Sequence, residues 1–168
     1  EKIPGLELVA EDLGDLRPEV LELRDHYHLK GMKVLEFVLD ASGRYVQDTG
    51  SNKACQIHYT GTHDNATLKE WYESLPVAHR RKLRRWLKRQ GFGTGSVVER
   101  LNRCALASPA DWTILPAQDI MELNASARMN TPGTVGSPNW EWRLADFDRV
   151  ARALRALRPA ILQRRETK

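Results

Sequence analysis

Four short apolar runs, separated by segments of helical character, most constrain the fold that this chain can adopt. The runs cover residues 6–10, 34–39, 57–60 and 112–115. Their alternation with helical segments indicates an α/β protein with a parallel sheet. Four strands cannot close a barrel of eight, so a barrel with this strand content would be half of one.

Helix-start signals divide the rest of the chain, and they occur at Pro18, at Thr67 with Glu70, at Pro76 and at Ser96 with Glu99. Gly31 is predicted to end the first helix. The last helix is predicted to begin near residue 145 and to be kinked or interrupted at Pro159. Residues 42–52 and 124–143 have the composition of loops.

The net charge of +4 is concentrated in residues 79–89, which carry seven Arg or Lys side chains. Such a run could bind nucleic acid. A second interpretation is favoured because apolar residues mark one face of the same helix, and the basic residues then form its solvated face. The apolar positions are Leu75, Val77, Leu83, Trp86 and Leu87.

The 168 residues allow one domain with a modest core. No apolar stretch resembles a membrane span or a signal peptide, which predicts a cytoplasmic protein without a membrane partner. Cys55 and Cys104 are predicted to be reduced core residues, and no cluster of residues at metal-ligand spacing indicates a metal site. Because the chain starts at Glu1 beside a strand-like segment, we expect it to be part of a longer polypeptide.

Two of the apolar runs are followed closely by carboxylates. Glu11 comes after the first run and Asp64 after the third. Carboxylates just past the ends of barrel strands are the groups that perform acid/base chemistry on a glycosidic bond. Considered alone, Glu11 and Asp12 are better explained as caps of the following helix.

Five motifs, in order and spanning most of the chain, resemble the C-terminal part of the 4-alpha-glucanotransferases (amylomaltases) of glycoside hydrolase family 77. They are Ala-Glu-Asp-Leu-Gly at 10–14, Gly-Met-Lys-Val-Leu-Glu-Phe at 31–37, Tyr-Thr-Gly-Thr-His-Asp-Asn at 59–65, Ala-Arg-Met-Asn-Thr-Pro-Gly-Thr at 127–134, and Asn-Trp-Glu-Trp-Arg at 139–143. The chain departs from the family pattern in residues 40–52, which lack a Pro-His-Asn-Tyr segment.

The resemblance implies that the four strands are strands five to eight of a TIM (β/α)8 barrel. Residues 1–168 would then form the C-terminal half of the catalytic barrel, with a helical insert at 67–108. By motif match, Glu11 is the acid/base and Asp64 is the carboxylate that stabilises the transition state. The family's nucleophilic Asp lies in an upstream motif that this chain does not contain, so we expect the isolated chain to be inactive.

Four further residues in the matched motifs are candidate substrate-binding groups. His63 could bind a sugar hydroxyl, or it could be a satisfied loop histidine. Asn65 could bind substrate or hold the loop by an Asx turn. Asn130 lies in a Gly/Pro-framed loop that could cover the substrate groove. Trp140 could stack on a sugar ring, although tryptophans at this spacing are more often core residues.

The intact enzyme that the resemblance implies transfers α-1,4-glucan segments between maltooligosaccharides through a covalent glycosyl-enzyme, without a cofactor. Its partners would be these glucans and the N-terminal half of the barrel; without that half, the chain could self-associate. The alternatives are an α-amylase-like hydrolase, a non-catalytic glucan-binding module and a nucleic-acid-binding module.

Overall fold

The computed structural model describes residues 6–14, 17–38 and 56–166. Its central feature is a parallel sheet of three strands, β1 (Gly31–Val34), β2 (Gln56–Tyr59) and β3 (Trp112–Ile114), in the order β1-β2-β3. The first apolar run extends this sheet only by a parallel bridge between Val9 and Lys30. The predicted α/β architecture with a parallel sheet is therefore confirmed for the described residues.

The second strand differs from the prediction in position and length. It begins at Gly31, which was predicted to end the first helix, and it stops at Val34; Leu35–Val38 form a 3-10 helix. The chain leaves the first helix earlier, through a turn in which His28 has a φ of 53°. The apolar run was predicted to be a strand because its residues are apolar, but Leu35 is buried as part of a 3-10 helix.

The described residues form six α-helices: α1 (Pro18–His26), α2 (Leu68–Ser74), α3 (Val77–Arg89), α4 (Val97–Leu106), α5 (Ala117–Ile120) and α6 (Phe147–Glu166). Both predicted caps are confirmed, since the Thr67 and Ser96 hydroxyls accept hydrogen bonds from the backbone N–H groups three residues later.

The predicted interruption at Pro159 is wrong, because α6 continues through it to Glu166. A proline inside a helix removes one backbone hydrogen bond. Contacts with the rest of the chain stabilise this helix: Leu157 is buried, and the Arg164 guanidinium donates hydrogen bonds to the carbonyls at the end of α4.

The main apolar cluster lies between the helices that follow β2 and the 3-10 turn after β1. Its buried members are Leu35, Leu68, Leu83, Leu87, Val98 and Leu101. Because α3 contributes two leucines to this cluster, its basic side chains at 81, 82, 84, 85, 88 and 89 face solvent, as the favoured interpretation predicted. Val77 is the exception to the predicted apolar face, since it is 56% exposed at the start of the helix.

Cys104 is a free, half-buried thiol at the edge of this cluster, and burial raises its pKa to about 12. The prediction that Cys55 is a reduced core residue and the predicted loop at 42–52 both concern residues outside the described ranges. Within the described ranges, no helix combines the length and apolar character needed to cross a bilayer, and no three His, Cys, Asp or Glu side chains are grouped to hold a metal ion.

Candidate active site

A cavity of about 830 Å³ lies at the carboxyl ends of the three strands. Its walls come from the segment after Val9, the turn after β1, residues 59–67 after β2, residues 114–119 after β3 and the loop at 127–132. Both predicted catalytic carboxylates, Glu11 and Asp64, line it. In parallel α/β sheets this is the edge at which ligands bind.

Glu11 is held in place through its neighbour in the sequence. Asp12 accepts a hydrogen bond from the backbone N–H of Met32 at 2.6 Å and forms an ion pair with Arg24. The residue that caps α1 is Arg17, without a side-chain hydrogen bond, so the interpretation of Glu11 and Asp12 as helix caps is wrong. Glu11 is exposed on the cavity side, and burial together with the Glu11 charge raises the pKa of Tyr59, which also lines the cavity.

Asp64 lies in a turn after β2, and two predicted binding residues contact its carboxylate. The Asn130 amide donates to Asp64 Oδ1 at 2.7 Å, and His63 Nε2 lies 3.4 Å from the same oxygen. The loop that carries Asn130 is also hydrogen-bonded to this turn, because the Asn130 backbone N–H donates to the His63 carbonyl at 3.1 Å. The Asp64 side chain remains 48% exposed and open to the cavity.

Arg128 joins the same two loops and was not singled out as a site residue from the sequence. Its guanidinium donates to the carbonyls of Asp64 at 3.0 Å and of Asn130 at 2.8 Å, and it lies 3.8 Å from Glu70 of α2. A fixed planar guanidinium can hold two carbonyls in a set geometry. Only its place inside a matched motif could have indicated this role.

Asn65 holds the turn together, although not by the predicted Asx turn, because its side chain bonds a residue three positions earlier rather than the backbone two positions later. Its Oδ1 accepts hydrogen bonds from the Thr62 backbone N–H at 2.9 Å and from the Thr62 hydroxyl at 2.7 Å. The Thr62 hydroxyl in turn accepts from the Asp64 backbone N–H at 3.3 Å. Asn65 also lines the cavity, so its predicted contact with substrate stays a prediction.

Trp140 is a surface residue rather than a core residue, with 54% of its surface exposed. Its ring lies beside the His63 ring, with 5.1 Å between the centroids and a tilt of 37°. The backbone has a φ of 65°, and its N–H donates to the Met129 carbonyl at 2.7 Å. The exposed indole therefore lies beside a residue that lines the cavity, and its stacking on a sugar stays a prediction.

Two further carboxyl groups, a buried one in α5 and a half-buried one in the 3-10 turn after β1, were not predicted. Asp119 of α5 accepts hydrogen bonds from the Thr60 hydroxyl and from the Leu68 backbone N–H, both at 2.7 Å. It is 2% exposed, and burial raises its pKa although both hydrogen bonds oppose this. It joins the end of β2 to the start of α2.

Glu36, in the 3-10 turn after β1, is the second of these groups. Burial raises its pKa to about 7; the Asn65 side chain and Arg128 oppose this rise, and Asp119 and Glu70 add to it. Its Oε1 is inaccessible to solvent and has no hydrogen-bond partner. The sequence signal for Glu36 is a single acidic residue inside an apolar run.

The sequence model of the 4-alpha-glucanotransferase family, glycoside hydrolase 77, matches residues 1–149. The chain belongs to this family. Among curated relatives, the 4-alpha-glucanotransferase of Streptococcus pneumoniae is 36% identical over 147 residues, covering 87% of this chain and 28% of the relative. That of Thermus thermophilus is 37% identical over 142 residues, covering 82% and 28%. An Arabidopsis thaliana member, named as chloroplastic/amyloplastic, is 37% identical over 142 residues, covering 83% and 24%.

Solved structures of the family have the same fold. The amylomaltase of Streptococcus agalactiae in complex with acarbose aligns with a TM-score of 0.76 and 29% identity, over 90% of this chain and 31% of that one. The amylomaltase of Corynebacterium glutamicum, at 16% identity and a TM-score of 0.64 over 95% and 29% of the two chains, supports the fold alone. The chain spans less than a third of the length of the family members described here.

Proposed function

We propose that this chain forms the C-terminal half, strands five to eight, of a 4-alpha-glucanotransferase barrel, with residues 67–108 as a helical insert. The sheet supports this arrangement, because no strand pairs with the outer edge of β3 among the described residues, and beyond β1 lies only the Val9 bridge. Large apolar side chains at these edges are exposed, namely Leu6, Leu8, Val9, Trp112 and Ile114. A second half-barrel would cover them.

In the proposed reaction, Glu11 is the acid/base and Asp64 stabilises the transition state. Glu11 starts protonated, donates its proton to the leaving oxygen and then takes a proton from the acceptor hydroxyl. The Asp64 carboxylate favours the oxocarbenium-like transition state, and Asn130 and Arg128 hold it in position. The observation that carries this proposal is that both carboxylates line one cavity at the carboxyl ends of the strands.

The nucleophile of a retaining transfer belongs to the other half of the barrel in this proposal. Two carboxyl groups roughly 5–5.5 Å apart are needed, one of them nucleophilic. We therefore expect the chain by itself to be inactive and to need a partner half-barrel. Residues His63, Asn65, Asn130 and Trp140 would bind the glucan, with the Trp140 ring stacking on a sugar; no cofactor takes part. A cytoplasmic location remains a prediction.

The experiment that tests the proposal is reconstitution with the N-terminal part of the Streptococcus agalactiae amylomaltase. Maltotriose is supplied to the chain alone, to the partner alone and to the mixture, and the products are separated by chromatography. We expect glucose and longer maltooligosaccharides only from the mixture. Products from the chain alone would contradict the assignment of the nucleophile, and reducing sugar without longer products would favour the hydrolase alternative.

Substitution of each carboxylate gives the residue-level test. Glu11→Gln and Asp64→Asn should each lower the transfer rate at least 100-fold, because general acid catalysis and charge stabilisation are each worth factors of roughly 10²–10³. Glu7→Gln is the matched control, since Glu7 is an exposed carboxylate of the same segment. Equal activity of Glu11→Gln and Glu7→Gln would overturn the role of Glu11.

A further inference from the structure

Residues 131–140 form a surface loop whose shape does not come from apolar packing. Every residue in it is exposed except Asn139, which is half-buried, and Val135 is fully exposed. Gly133 and Gly136 turn the chain with φ values of 77° and 91°. Because no apolar side chain of the loop is buried, hydrogen bonds have to define its conformation.

The Asn139 side chain is the centre of these hydrogen bonds. Its Oδ1 accepts from the Thr131 backbone N–H at 2.9 Å, and its NH2 donates to the Thr134 hydroxyl at 2.8 Å. The Thr134 hydroxyl donates in turn to the Thr131 carbonyl at 2.6 Å. Each group of the Asn139 amide therefore has a matching partner, since a backbone N–H can only donate and a hydroxyl can accept while it donates. One side chain thus connects the end of the loop to its beginning.

Trp140 directly follows Asn139, and its backbone has the left-handed conformation, with a φ of 65°. A non-glycine residue keeps this conformation only where surrounding contacts hold it. Its N–H donates to the Met129 carbonyl at 2.7 Å, and its carbonyl accepts from the Arg143 guanidinium at 2.9 Å. Asn139 fixes the chain that enters this residue, so the direction of the indole, whose ring lies 5.1 Å from that of His63, depends on it.

We propose that Asn139 is a positioning residue, which fixes the Trp140 indole beside His63 by holding residues 131–134 against the segment that enters Trp140. A glucan then meets a ring that is already in place, and a preformed contact binds more tightly than one that has to be ordered on binding. This consequence rests on the proposed function, in which Trp140 stacks on a sugar. The position of the ring in the free chain can be tested without it.

Nuclear magnetic resonance of the whole chain at one fixed pH tests the position of the ring. The ring current of an indole 5.1 Å away displaces the His63 ring C–H signals, and Trp140→Leu gives their positions without it. Asn139→Ala removes both side-chain hydrogen bonds, and the His63 signals should then lose at least half of this displacement. Asn139→Asp keeps the acceptor for the Thr131 N–H and should retain most of it.

Two further variants separate the effect of Asn139 from a general loosening of the loop. Thr134→Val removes the hydroxyl that accepts from Asn139, and it should move the His63 signals in the same direction as Asn139→Ala. Ser137→Ala removes the hydrogen bond between Ser137 and Glu141 in the same loop and should leave the His63 signals unchanged. Unchanged His63 signals in Asn139→Ala, or equal changes in Asn139→Ala and Ser137→Ala, would overturn the proposal.

Transfer by the reconstituted halves tests the consequence for substrate binding. Asn139→Ala should raise the KM for maltotriose about 2- to 10-fold while kcat stays within about 2-fold, because a lost aromatic contact weakens binding without changing the reacting groups. Trp140→Leu should raise the KM at least as much. Asn139→Ala added to Trp140→Leu should raise it no further, since a residue that acts through Trp140 has no effect once the ring is gone. A further increase in the double variant would contradict action through Trp140.

The two measurements distinguish failure of this proposal from failure of the proposed function. If the His63 signals respond as expected but Trp140→Leu leaves the KM unchanged, the positioning role stands and glucan stacking by Trp140 fails. If Trp140→Leu raises the KM but the His63 signals of Asn139→Ala equal those of the unmodified chain, the stacking stands and the role of Asn139 is wrong.

Discussion

Asp119→Ala tests how the turn at residues 60–65, which carries Asp64, is attached to the rest of the molecule. The Asp119 carboxylate accepts from the Thr60 hydroxyl and the Leu68 backbone N–H, and its backbone carbonyl accepts from Asn102. Alanine keeps the backbone contact and removes both side-chain acceptors. Thr60 and Leu68 are both buried, at 1% and 2% exposure, so water cannot easily replace the carboxylate.

The size of the effect follows from the two donors that lose their acceptor. A buried donor left without a partner destabilises a protein by about 1–3 kcal/mol. Two such donors would lower the free energy of unfolding by about 2–6 kcal/mol. Burial raises the Asp119 pKa, which means that the ionised carboxylate is itself disfavoured there, and its removal offsets part of the loss. We therefore expect a net loss of about 2–4 kcal/mol.

Urea unfolding, followed by tryptophan fluorescence, measures this loss at neutral pH. With a slope of about 2 kcal/mol per M, the midpoint of Asp119→Ala should fall by about 1–2 M. Asp119→Asn is the matched control: its oxygen can accept from Leu68 and its NH2 can donate to Thr60, so its loss should stay under about 1.5 kcal/mol. A midpoint for Asp119→Ala within error of the unmodified chain, or equal losses in the two variants, would refute this account.

Two further substitutions test other parts of the structure. The pKa of Glu36 is raised from 4.5 to about 7, so its contribution to stability is present below pH 4.5 and is lost as the pH rises through 7. The free energy of unfolding of Glu36→Gln should therefore exceed that of the unmodified chain by roughly 2 kcal/mol at pH 8 and by little at pH 4.5. Urea unfolding at both pH values measures this difference. Gly31→Ala should lower the free energy of unfolding by about 1–3 kcal/mol, since the added Cβ would collide with the Asp12 carboxylate. Gly93→Ala is the control and should change it by less than about 0.5 kcal/mol, because its Cβ would meet only the Lys88 side chain at 3.7 Å. Equal unfolding midpoints for the two alanine variants would contradict this.

The sequence was informative where a signal is local. Thr67 and Ser96 were predicted as caps because a cap needs only a hydroxyl and the backbone three residues later. The helix end at Gly31 and the interruption at Pro159 were wrong predictions, because the environments of both residues come from distant parts of the chain. Gly31 lies where Asp12 and Arg24 leave no room for a Cβ, and Pro159 is accommodated in a helix that the rest of the chain stabilises.

The site shows the same division. Glu11 and Asp64 follow strand-like runs, so their place at the carboxyl edge of the sheet could be predicted from order alone. The roles of Asp119 and Arg128 could not be predicted from the sequence, because each acts through hydrogen bonds to residues more than 50 positions away. Nothing in the pattern around Asp119 indicates which donors it will meet, and its burial depends on the packing of α5 against α4 and α6.

The segments that carry the two proposed catalytic carboxylates differ in how many contacts attach them to the rest of the chain. Asp64 belongs to a turn that is connected to α5, and through Asp119 to α2, by buried hydrogen bonds, and to the 127–132 loop by exposed ones. Glu11 lies on an edge segment attached by the Val9 bridge and by Asp12, with exposed leucines before it. Contacts within this chain therefore hold the Asp64 turn. In the proposed arrangement of two half-barrels, association would therefore complete the site chiefly by covering the edge next to Glu11, the proposed acid/base.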